Sequence, residues 1–383
     1  MKMKEICTKI GSGATPRGGK EAYIDTGISL IRSQNVLDLS FSYDGLAHIN
    51  EQQADKLSNV AVESGDVLLN ITGDSVARAC VVEDKVLPAR VNQHVAIVRA
   101  NTELALSSYI LYFLQMSKPY LLQIAAGGAT RNALTKGMIE ELEIEVPVIE
   151  QQRKIVSLVD DIRGKIKNNN EINDNLEQQA QTIYQQMFVE NPNPDWKEGS
   201  LSDIANITMG QSPSGSSYNE KGIGTIFFQG RAEFGFRFPS IRLYTTEPKR
   251  MASANDTLMS VRAPVGDLNV AHTDCCIGRG LAAIHSKSNH QSFVHYTMFS
   301  LKKQLDVFNG EGTVFGSINR NSLNDMPILI PANDVIEEFE GIVAPMDAII
   351  RNNYDENCRL QEIRDSLLPK LMSGEIDVSN INI

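Results

Sequence analysis

The sequence predicts an α+β fold in which two similar globular domains alternate with two long helices. The first observation behind this prediction is an internal repeat, because residues 128–147 align without a gap with residues 312–331. The second is the helical segment that follows each copy, roughly 40 residues or about 60 Å long at the rise of an α-helix. The chain has 383 residues, 42% of them hydrophobic, and is therefore long enough for several cores.

The repeat continues towards the start of each copy. Residues 10–16 resemble residues 207–213, and residues 65–69 resemble residues 255–259. The offset between the copies falls along the chain, so the predicted strands match while the loops between them differ in length. Loops that vary on a constant scaffold usually carry binding specificity.

Each helical segment has one apolar stripe, with most steps of three, four or about seven residues. A long helix with so narrow a stripe needs a second helix to cover it, and the other segment is the obvious partner. We therefore expect residues 155–187 and 339–371 to pair as an antiparallel coiled coil, with Ile162 and Ile349 in the seam. The stripes consist of Ile155, Leu158, Ile162, Ile166, Ile172, Leu176, Ile183 and Met187 in the first segment, and Phe339, Ile342, Met346, Ile349, Leu360, Ile363, Leu367 and Leu371 in the second.

These patterns predict four regions related by an internal pseudo-two-fold repeat. The first globular domain is expected over residues 1–148 and the first long helix over 149–190. The second globular domain is expected over 191–331, beginning with an Asn-Pro linker, and the second long helix over 332–383.

The net charge of −11 does not favour a nucleic-acid partner by itself. The acidic residues are concentrated in the helical regions, since residues 332–383 contain 4 basic and 11 acidic residues. Residues 196–331 contain 13 basic and 11 acidic residues, a net charge of +2. Contact with duplex DNA needs a local basic surface rather than a basic total. The charge distribution therefore permits DNA binding by the globular domains but not by the helices.

The five cysteines include no C-x-x-C pair, which fits a reducing cytoplasm. Residues after Met1 form no apolar signal segment, and no stretch reaches the length of a membrane span. We therefore expect a cytoplasmic protein without a membrane partner.

A search for chemistry finds no complete motif. Residues 13–20 resemble a Walker A loop, but the glycine spacing fails and Glu21 replaces the Ser or Thr that would bind magnesium. His290 and His295 lack metal-ligand spacing, and the vicinal Cys275–Cys276 pair is more typical of a buried strand than of a redox site. We expect no catalytic, cofactor or metal site, and no methyltransferase, nuclease or ATPase activity of the isolated chain.

The whole chain resembles the specificity subunit of type I restriction–modification enzymes. The resemblance rests on the paired domain endings (residues 128–147 and 312–331), on the helix entry at 150–155, and on the closing segment 366–376. One departure concerns the first repeat, which has little sequence ahead of its first turn, whereas the second has Trp196 and Leu201 there. We therefore expect the first domain to be trimmed at one edge relative to the second.

The resemblance implies that each globular domain is a target-recognition domain that reads one half of a split, asymmetric sequence in double-stranded DNA. It implies that the paired helices set the spacer between the half-sites and dock two modification subunits. Those partners would carry S-adenosylmethionine, and restriction subunits would use ATP and Mg²⁺. The chain itself would determine which DNA sequence is recognised and how far apart the half-sites lie, without catalysis.

Two other functions remain open at this stage. A non-catalytic two-domain adaptor that binds protein or glycan would have the same composition, although it does not explain the alternation of long helices with loop-variable domains. An enzyme with an unrecognised site is the other alternative.

The sequence is least informative about which residues touch DNA. Arg suits guanine, and Asn or Gln suits adenine, in the major groove. Polar and basic residues in predicted loops are therefore the candidates. In the first domain they are Arg17, Lys20, Arg32, Gln34, Asn35, Thr72, Arg78, Arg131, Asn132 and Lys136, and in the second they are Gln229, Arg231, Arg237, Arg242, Arg262, Asn319 and Arg320.

Overall fold

The computed structural model describes residues 1–16, 18–127, 132–310, 316–379 and 381 of the chain. It has the mixed helix and sheet structure that the sequence predicts, with long helices after each globular part. The chain divides into two compact units, of which unit 1 is Met1–Lys167 with Glu356–Ile383 and unit 2 is Asn168–Asp355. Each long helix is thus divided between the units, whereas the region boundaries predicted above follow the order of the chain.

Unit 1 is built from short strands and helices around two sheets. Its strands are β1 (Cys7–Ser12), β2 (Ile28–Ile31), β3 (Ala47–Ile49), β4 (Ala61–Val62), β5 (Val67–Asn70), β6 (Ala79–Val81), β7 (Ala89–Val91) and β8 (Val95–Ala100). Its helices are α1 (Met3–Ile6), α2 (Glu51–Lys56), α3 (Ser107–Met116), α4 (Lys118–Ala126), α5 (Lys136–Glu140) and the first part of α6 (Ile149–Tyr184). One sheet has the order β1-β8-β5-β6, and the other has the order β3-β2-β7-β4.

The central strands of unit 1 are apolar on both faces, because each face meets a different core. Val67 and Leu69 of β5 pack in one core with the helices, including Tyr109 of α3. Leu68 between them, and Ile97 of β8, pack in a second core with the other sheet. The period of two along a strand therefore produces a three-layer arrangement of helices, sheet and sheet.

Unit 2 repeats this design. Its strands are β9 (Lys197–Ser200), β10 (Ala205–Met209), β11 (Tyr218–Asn219), β12 (Thr225–Phe228), β13 (Leu243–Thr245), β14 (Met251–Ala252), β15 (Thr257–Ser260), β16 (Leu268–Val270), β17 (Cys275–Ile277), β18 (Leu281–Ser286) and β19 (Pro327–Ile330). Its helices are the second part of α6, α7 (Leu201–Ile204), α8 (Gln291–Ser300), α9 (Lys302–Asp306), α10 (Arg320–Asn324) and the first part of α11 (Asn333–Met372).

The strand orders of unit 2 match those of unit 1, except that unit 2 has the additional edge strand β11 and the separate pair β19-β9. One sheet has the order β10-β18-β15-β16, and the other has the order β11-β13-β12-β17-β14. In both units the second sheet contains one parallel pair, β2 with β7 and β12 with β17. The short helices α5 and α10 also match, because Thr135 caps one and Asn319 caps the other. The internal repeat seen in the sequence is therefore a repeat of topology.

The long helices contain the predicted segments. Helix α6 continues into a π-helical turn at Gln185–Glu190, and α11 runs to Met372. In unit 1, Ile155 and Val159 of α6 share a core with Leu368 and Leu371 of α11. None of the helices in the described residues combines the length and the apolarity needed to cross a membrane.

The contacts in unit 1 join the start of α6 to the end of α11, so the two helices are antiparallel there. They are antiparallel within unit 2 as well. Leu176 of α6 packs with Ile350 and Tyr354 of α11, and the Asn353 side chain donates to Asn173 Oδ1 at 2.8 Å. Phe339, earlier in α11, packs edge-on against Tyr184, later in α6. Polar residues therefore occupy part of the pairing surface, a device that fixes register in paired helices.

The predicted seam is wrong at four positions. Ile172, Ile342, Ile349 and Ile363 are each 44–46% exposed, whereas Ile350 is fully buried. For Ile342 and Ile349, the reason is that the buried face of α11 in unit 2 is covered by the globular part as well as by α6, since Ile350 also packs on Phe238 and Val270. A coiled-coil pattern accounts only for the helical neighbour.

Neighbouring isoleucines provide a direct test of this burial. Replacing Ile350 with Asp should lower the free energy of unfolding by about 3–5 kcal/mol, because it places a carboxylate without a partner in an apolar cluster. Replacing the exposed Ile349 with Asp should change it by less than about 0.5 kcal/mol. Urea unfolding of the two variants measures both effects, and equal losses would contradict the burial pattern.

Candidate nucleic-acid interface

The loops at one end of each sheet pair are tied together by main-chain hydrogen bonds. In unit 1 the Ile71 N–H donates to the His94 carbonyl at 2.9 Å, and the Ile71 carbonyl accepts from Leu134 at 2.8 Å. Three loops thereby meet, and a fourth joins through Ala14, which donates to the Val91 carbonyl at 3.0 Å. The fifth joins through the Asn92 N–H, which donates to the Ile31 carbonyl at 2.9 Å. We name these segments the first loop cluster, consisting of residues 13–16, 31–36, 71–78, 91–95 and 132–134.

Unit 2 has the same bonds at the equivalent positions. The Val261 N–H donates to the Gly280 carbonyl at 2.9 Å, and the Val261 carbonyl accepts from Ile318 at 3.1 Å. Gln211 donates to Ile277 at 3.0 Å, as Ala14 donates to Val91 in unit 1. We name this set the second loop cluster, consisting of residues 210–213, 228–233, 261–267, 277–281 and 316–319.

A glycine at the start of each cluster is required by close packing of the main chain. A Cβ atom on Gly13 would lie 2.1 Å from the Val91 carbonyl oxygen, and one on Gly210 would lie 2.1 Å from the Gly278 carbonyl oxygen. No side chain fits at that distance. The sequence Gly-x-x-Pro at residues 13–16 and 210–213, which superficially resembles a phosphate loop, is therefore a packing element of the cluster.

Candidates of the first domain gather around the first loop cluster, with different exposure. Gln34 and Asn132 are exposed, whereas Arg32, Thr72 and Arg78 are half-buried.

Several of these candidates hold the loops in place. The Gln34 amide donates to the carbonyls of Asp44 and Gly45, and Arg32 Nη2 donates to the Gly45 carbonyl at 2.5 Å. Thr72 Oγ1 lies 2.6 Å from His94 Nδ1. The exposed Lys136 begins α5 and lies 3.4 Å from Glu140.

Three candidates of the first domain receive no structural description. Arg17 and Arg131 lie outside the described residues, and so does the side chain of Lys20.

Candidates of the second domain differ in whether a carboxylate already engages them. Arg231 pairs with Asp267 at 2.8 Å, and Arg242 pairs with the buried Glu233 at 2.9 Å. Arg262 is exposed and forms no ion pair with any residue that the structure describes. Gln229 is also exposed.

Two further exposed candidates lie at α10. Asn319 accepts a hydrogen bond from the Ser322 N–H at 2.9 Å, and Arg320 follows it at the first helical position. Lys136 and Arg320 occupy the same position in the aligned segments 128–147 and 312–331, and each begins a short helix behind a capping residue.

Two candidates are corrected by the structure. Asn35 is fully buried, and its amide donates to the carbonyls of Ser42 and Asp44. Arg237 is 6% exposed and pairs with Glu177 and Asp347 on the long helices. Both side chains are committed inside the protein. The sequence rule failed because it ranked residues by type and loop position, and neither property reveals burial.

Arg279 belongs to the second loop cluster but was missed from the sequence. It is exposed, and within the described part of the chain it forms no ion pair. It lies between Gly278 and Gly280, where a Cβ atom would approach the Gln229 carbonyl oxygen to 2.8 Å and 3.0 Å respectively. The Gly-Arg-Gly sequence between two buried strands was the available signal, since only glycine permits the turn that presents this arginine.

The other end of the sheets has a different kind of charge arrangement. Arg99 binds the fully buried Asp66 through two nitrogens, at 2.7 Å and 2.8 Å, and these hydrogen bonds raise the pKa of the arginine. His285 lies at the equivalent place in unit 2, 2.6 Å from Asp256. These pairs satisfy the buried carboxylates at this end of the sheets. No cluster of three or more metal-ligating residues occurs in the described part of the chain.

Residues 1–178 match a family model described as the type I restriction modification DNA specificity domain. A candidate type I restriction enzyme MjaX specificity subunit of Methanocaldococcus jannaschii is 26% identical, over 98% of this chain and 93% of its own. The type I restriction enzyme MjaIX specificity subunit of the same organism is 23% identical, over 99% of this chain and 94% of its own.

The fold has a solved counterpart. The S subunit of a type I restriction-modification system from M. genitalium superposes with a TM-score of 0.60, over 99% of this chain and 96% of that one. The two are 13% identical, so the similarity concerns the fold.

The close approach at Gly210 makes a specific prediction about the second loop cluster. Replacing Gly210 with Ala should lower stability by about 1–3 kcal/mol, because the added carbon overlaps the Gly278 carbonyl. Gly215 is the matched control, since a Cβ atom there meets nothing within 4 Å. Its replacement with Ala should change stability by less than about 0.5 kcal/mol. Thermal unfolding distinguishes them, and a Gly210 variant as stable as the control would refute the close packing.

Proposed function

Since the chain belongs to the non-catalytic specificity-subunit family of type I restriction–modification enzymes, we propose that each globular repeat reads one half of a split DNA target through its loop cluster. The observation that carries this proposal is the pair of loop clusters built on one main-chain framework. A constant framework with variable side chains is what a two-part reader requires, because position is preserved while the readout changes.

The equivalent positions of the two clusters carry different side chains. Thr72 in the first cluster corresponds to Arg262 in the second, and Gln93 corresponds to Arg279. Arginine forms two hydrogen bonds with guanine or contacts phosphate, whereas threonine and glutamine suit other base edges. This difference supports two unlike half-sites, and hence an asymmetric target. The remaining exposed candidates, together with Arg262 and Arg279, are the proposed contact set.

We further propose that the paired long helices set the spacer between the half-sites. The acidic character of residues 332–383 keeps α11 away from phosphate and leaves its surface for protein partners. Those partners would be two modification subunits that bind S-adenosylmethionine, joined by restriction subunits that use ATP and Mg²⁺. The assembly would act in the cytoplasm, where chromosomal targets lie.

Arg279 provides the most direct test of DNA contact. Replacing it with Ala should weaken binding of the complex to its target by about 1 kcal/mol or more. The slope of log affinity against log salt concentration should become shallower by about one, because one fewer counterion is released. Lys287 is the matched control, because it is an exposed cation at the opposite end of β18. Fluorescence anisotropy across a salt series measures both variants, and equal losses would show that Arg279 has no special place in the interface.

Modularity provides a second test. Exchanging residues 196–331 for the matching domain of a relative should change one half-site and leave the other unchanged. The reason is that the main-chain hydrogen bonds described for each cluster join residues of a single unit. Methylome sequencing of a host that carries the chimera and its modification partner reads both half-sites together. A simultaneous change of both half-sites would mean that the domains read jointly. Failure of the unmodified complex to bind any duplex would instead favour an adaptor.

A further inference from the structure

A tyrosine, an aspartate and an arginine link the globular part to a long helix within unit 1. Tyr112 on α3 donates its hydroxyl to Asp160 on α6. Arg163, one turn further along α6, donates through Nη1 to the Tyr112 hydroxyl at 2.7 Å and lies 5.6 Å from the centre of that ring. Its other nitrogen, Nη2, donates to the Leu39 carbonyl at 2.7 Å. The helix thereby holds both α3 and the loop that contains Leu39.

Unit 2 has the same three groups, but its arginine comes from the loop. Tyr296 on α8 donates to Asp347 on α11 at 3.0 Å. Arg237 donates through Nη2 to Asp347 at 2.5 Å, and its guanidinium lies 5.6 Å from the Tyr296 ring. The two arginines thus occupy the same place relative to the tyrosine and the aspartate, although they reach it from opposite sides of the contact.

The two loops are closed by equivalent hydrogen bonds. In unit 1 the Ser42 N–H donates to the Asn35 carbonyl at 2.8 Å, and in unit 2 the Ser240 N–H donates to the Glu233 carbonyl at 2.7 Å. Each pair closes a loop of the same length. Leu39 therefore corresponds to Arg237, since each lies three residues before the serine that closes its loop.

The helix positions are equivalent as well. Arg163 comes three residues after Asp160, and Ile350 comes three residues after Asp347. Where unit 1 has a leucine on the loop and an arginine on the helix, unit 2 has an arginine on the loop and an isoleucine on the helix. The next loop position differs in the same way. Ser40 is exposed in unit 1, whereas Phe238 in unit 2 is buried against Ile350.

The arginine of unit 2 is held by the buried His295 and by two half-buried carboxylates. Its Nη1 donates to Glu177 at 3.0 Å and lies 2.7 Å from His295 Nε2. Burial lowers the pKa of His295 well below its usual value, so its neutral ring nitrogen accepts this bond. Arg237 therefore joins α6, α8 and α11 to the loop, and its removal alone would leave buried acceptors without a donor.

We propose that Arg163 and Arg237 are positioning residues that fix each recognition domain on its helix, and that the loop and helix residues form two matched sets. One set is Leu39 and Ser40 with Arg163, and the other is Arg237 and Phe238 with Ile350. A domain would then keep its native spacer preference only on a helix that carries its own set. This inference rests on the proposed function, because it makes the selection of spacer length in split DNA depend on these residues.

The test converts unit 2 to the set of unit 1. The exchanged variant carries R237L, F238S and I350R, with E177Q added so that this carboxylate is not left unpaired. The matched control carries R237L, F238S and E177Q but retains Ile350. Each chain is assembled with its modification partner and assayed for methylation of duplexes whose spacer is native, one base pair shorter or one base pair longer. Hydrogen exchange of the Ser240 amide is followed in the same complexes without DNA.

The control should lose at least tenfold in its preference for the native spacer, and its Ser240 amide should exchange at least tenfold faster. The exchanged variant should recover most of both losses. A control that keeps the wild-type preference and protection would overturn the proposal, and so would an exchanged variant that behaves like the control or fails to fold. A control that fails to fold while the exchanged variant folds and recovers would support it.

If the wild-type complex shows no spacer preference, the proposed function fails together with the inference. That result is distinguishable because it appears without any substitution.

Discussion

The constraint on which the structure depends is the double-sided burial of the central strands β5 and β15. All four residues of each strand are buried, because one face meets the helices and the other meets the second sheet. A register shift would move every apolar residue to the wrong core, so these strands cannot slip. The loops that leave them start from fixed points, and the two clusters keep the same hydrogen bonds despite their different sequences. Conserved geometry and variable chemistry are thus consequences of one packing requirement.

The last residue of each central strand shows how variation enters this framework. Asn70 ends β5, and its amide donates to the carbonyls of Ser33 and Val36. Ser260 ends β15 at the equivalent position, and its hydroxyl donates to the Pro264 carbonyl at 2.6 Å. Each buried polar group fastens a loop, but the loops are different. Changing one side chain at a fixed point therefore changes which segment is held, while the strand itself stays in place.

Much of the fold could be predicted from the sequence, because it depends on repetition and on periodic apolar residues. The duplicated ends, the capped short helices and the two long helices all left such signals. The seam could be predicted less accurately. Ile349 and Ile350 look alike in sequence, and only the domain packed beside α11 decides which one is buried. Among the candidate site residues, Asn35 and Arg237 were misjudged for the same reason. Arg279 was overlooked because its signal is the two glycines beside it.

The exchange of Leu39 and Arg163 for Arg237 and Ile350 shows why single positions mislead in a repeat protein. Aligned by position alone, Arg237 corresponds to Leu39 and looks like a residue selected for a particular DNA target. Aligned with its contacts, it supplies the same cation to the same tyrosine and aspartate as Arg163 does. The conserved quantity is therefore the contact, and either the loop or the helix can supply the charge. An arginine in a variable loop is evidence of DNA contact only after its internal partners have been excluded. In unit 2 that condition leaves Arg262 and Arg279 as the strongest cluster residues, because the cluster's third arginine, Arg231, already pairs with Asp267.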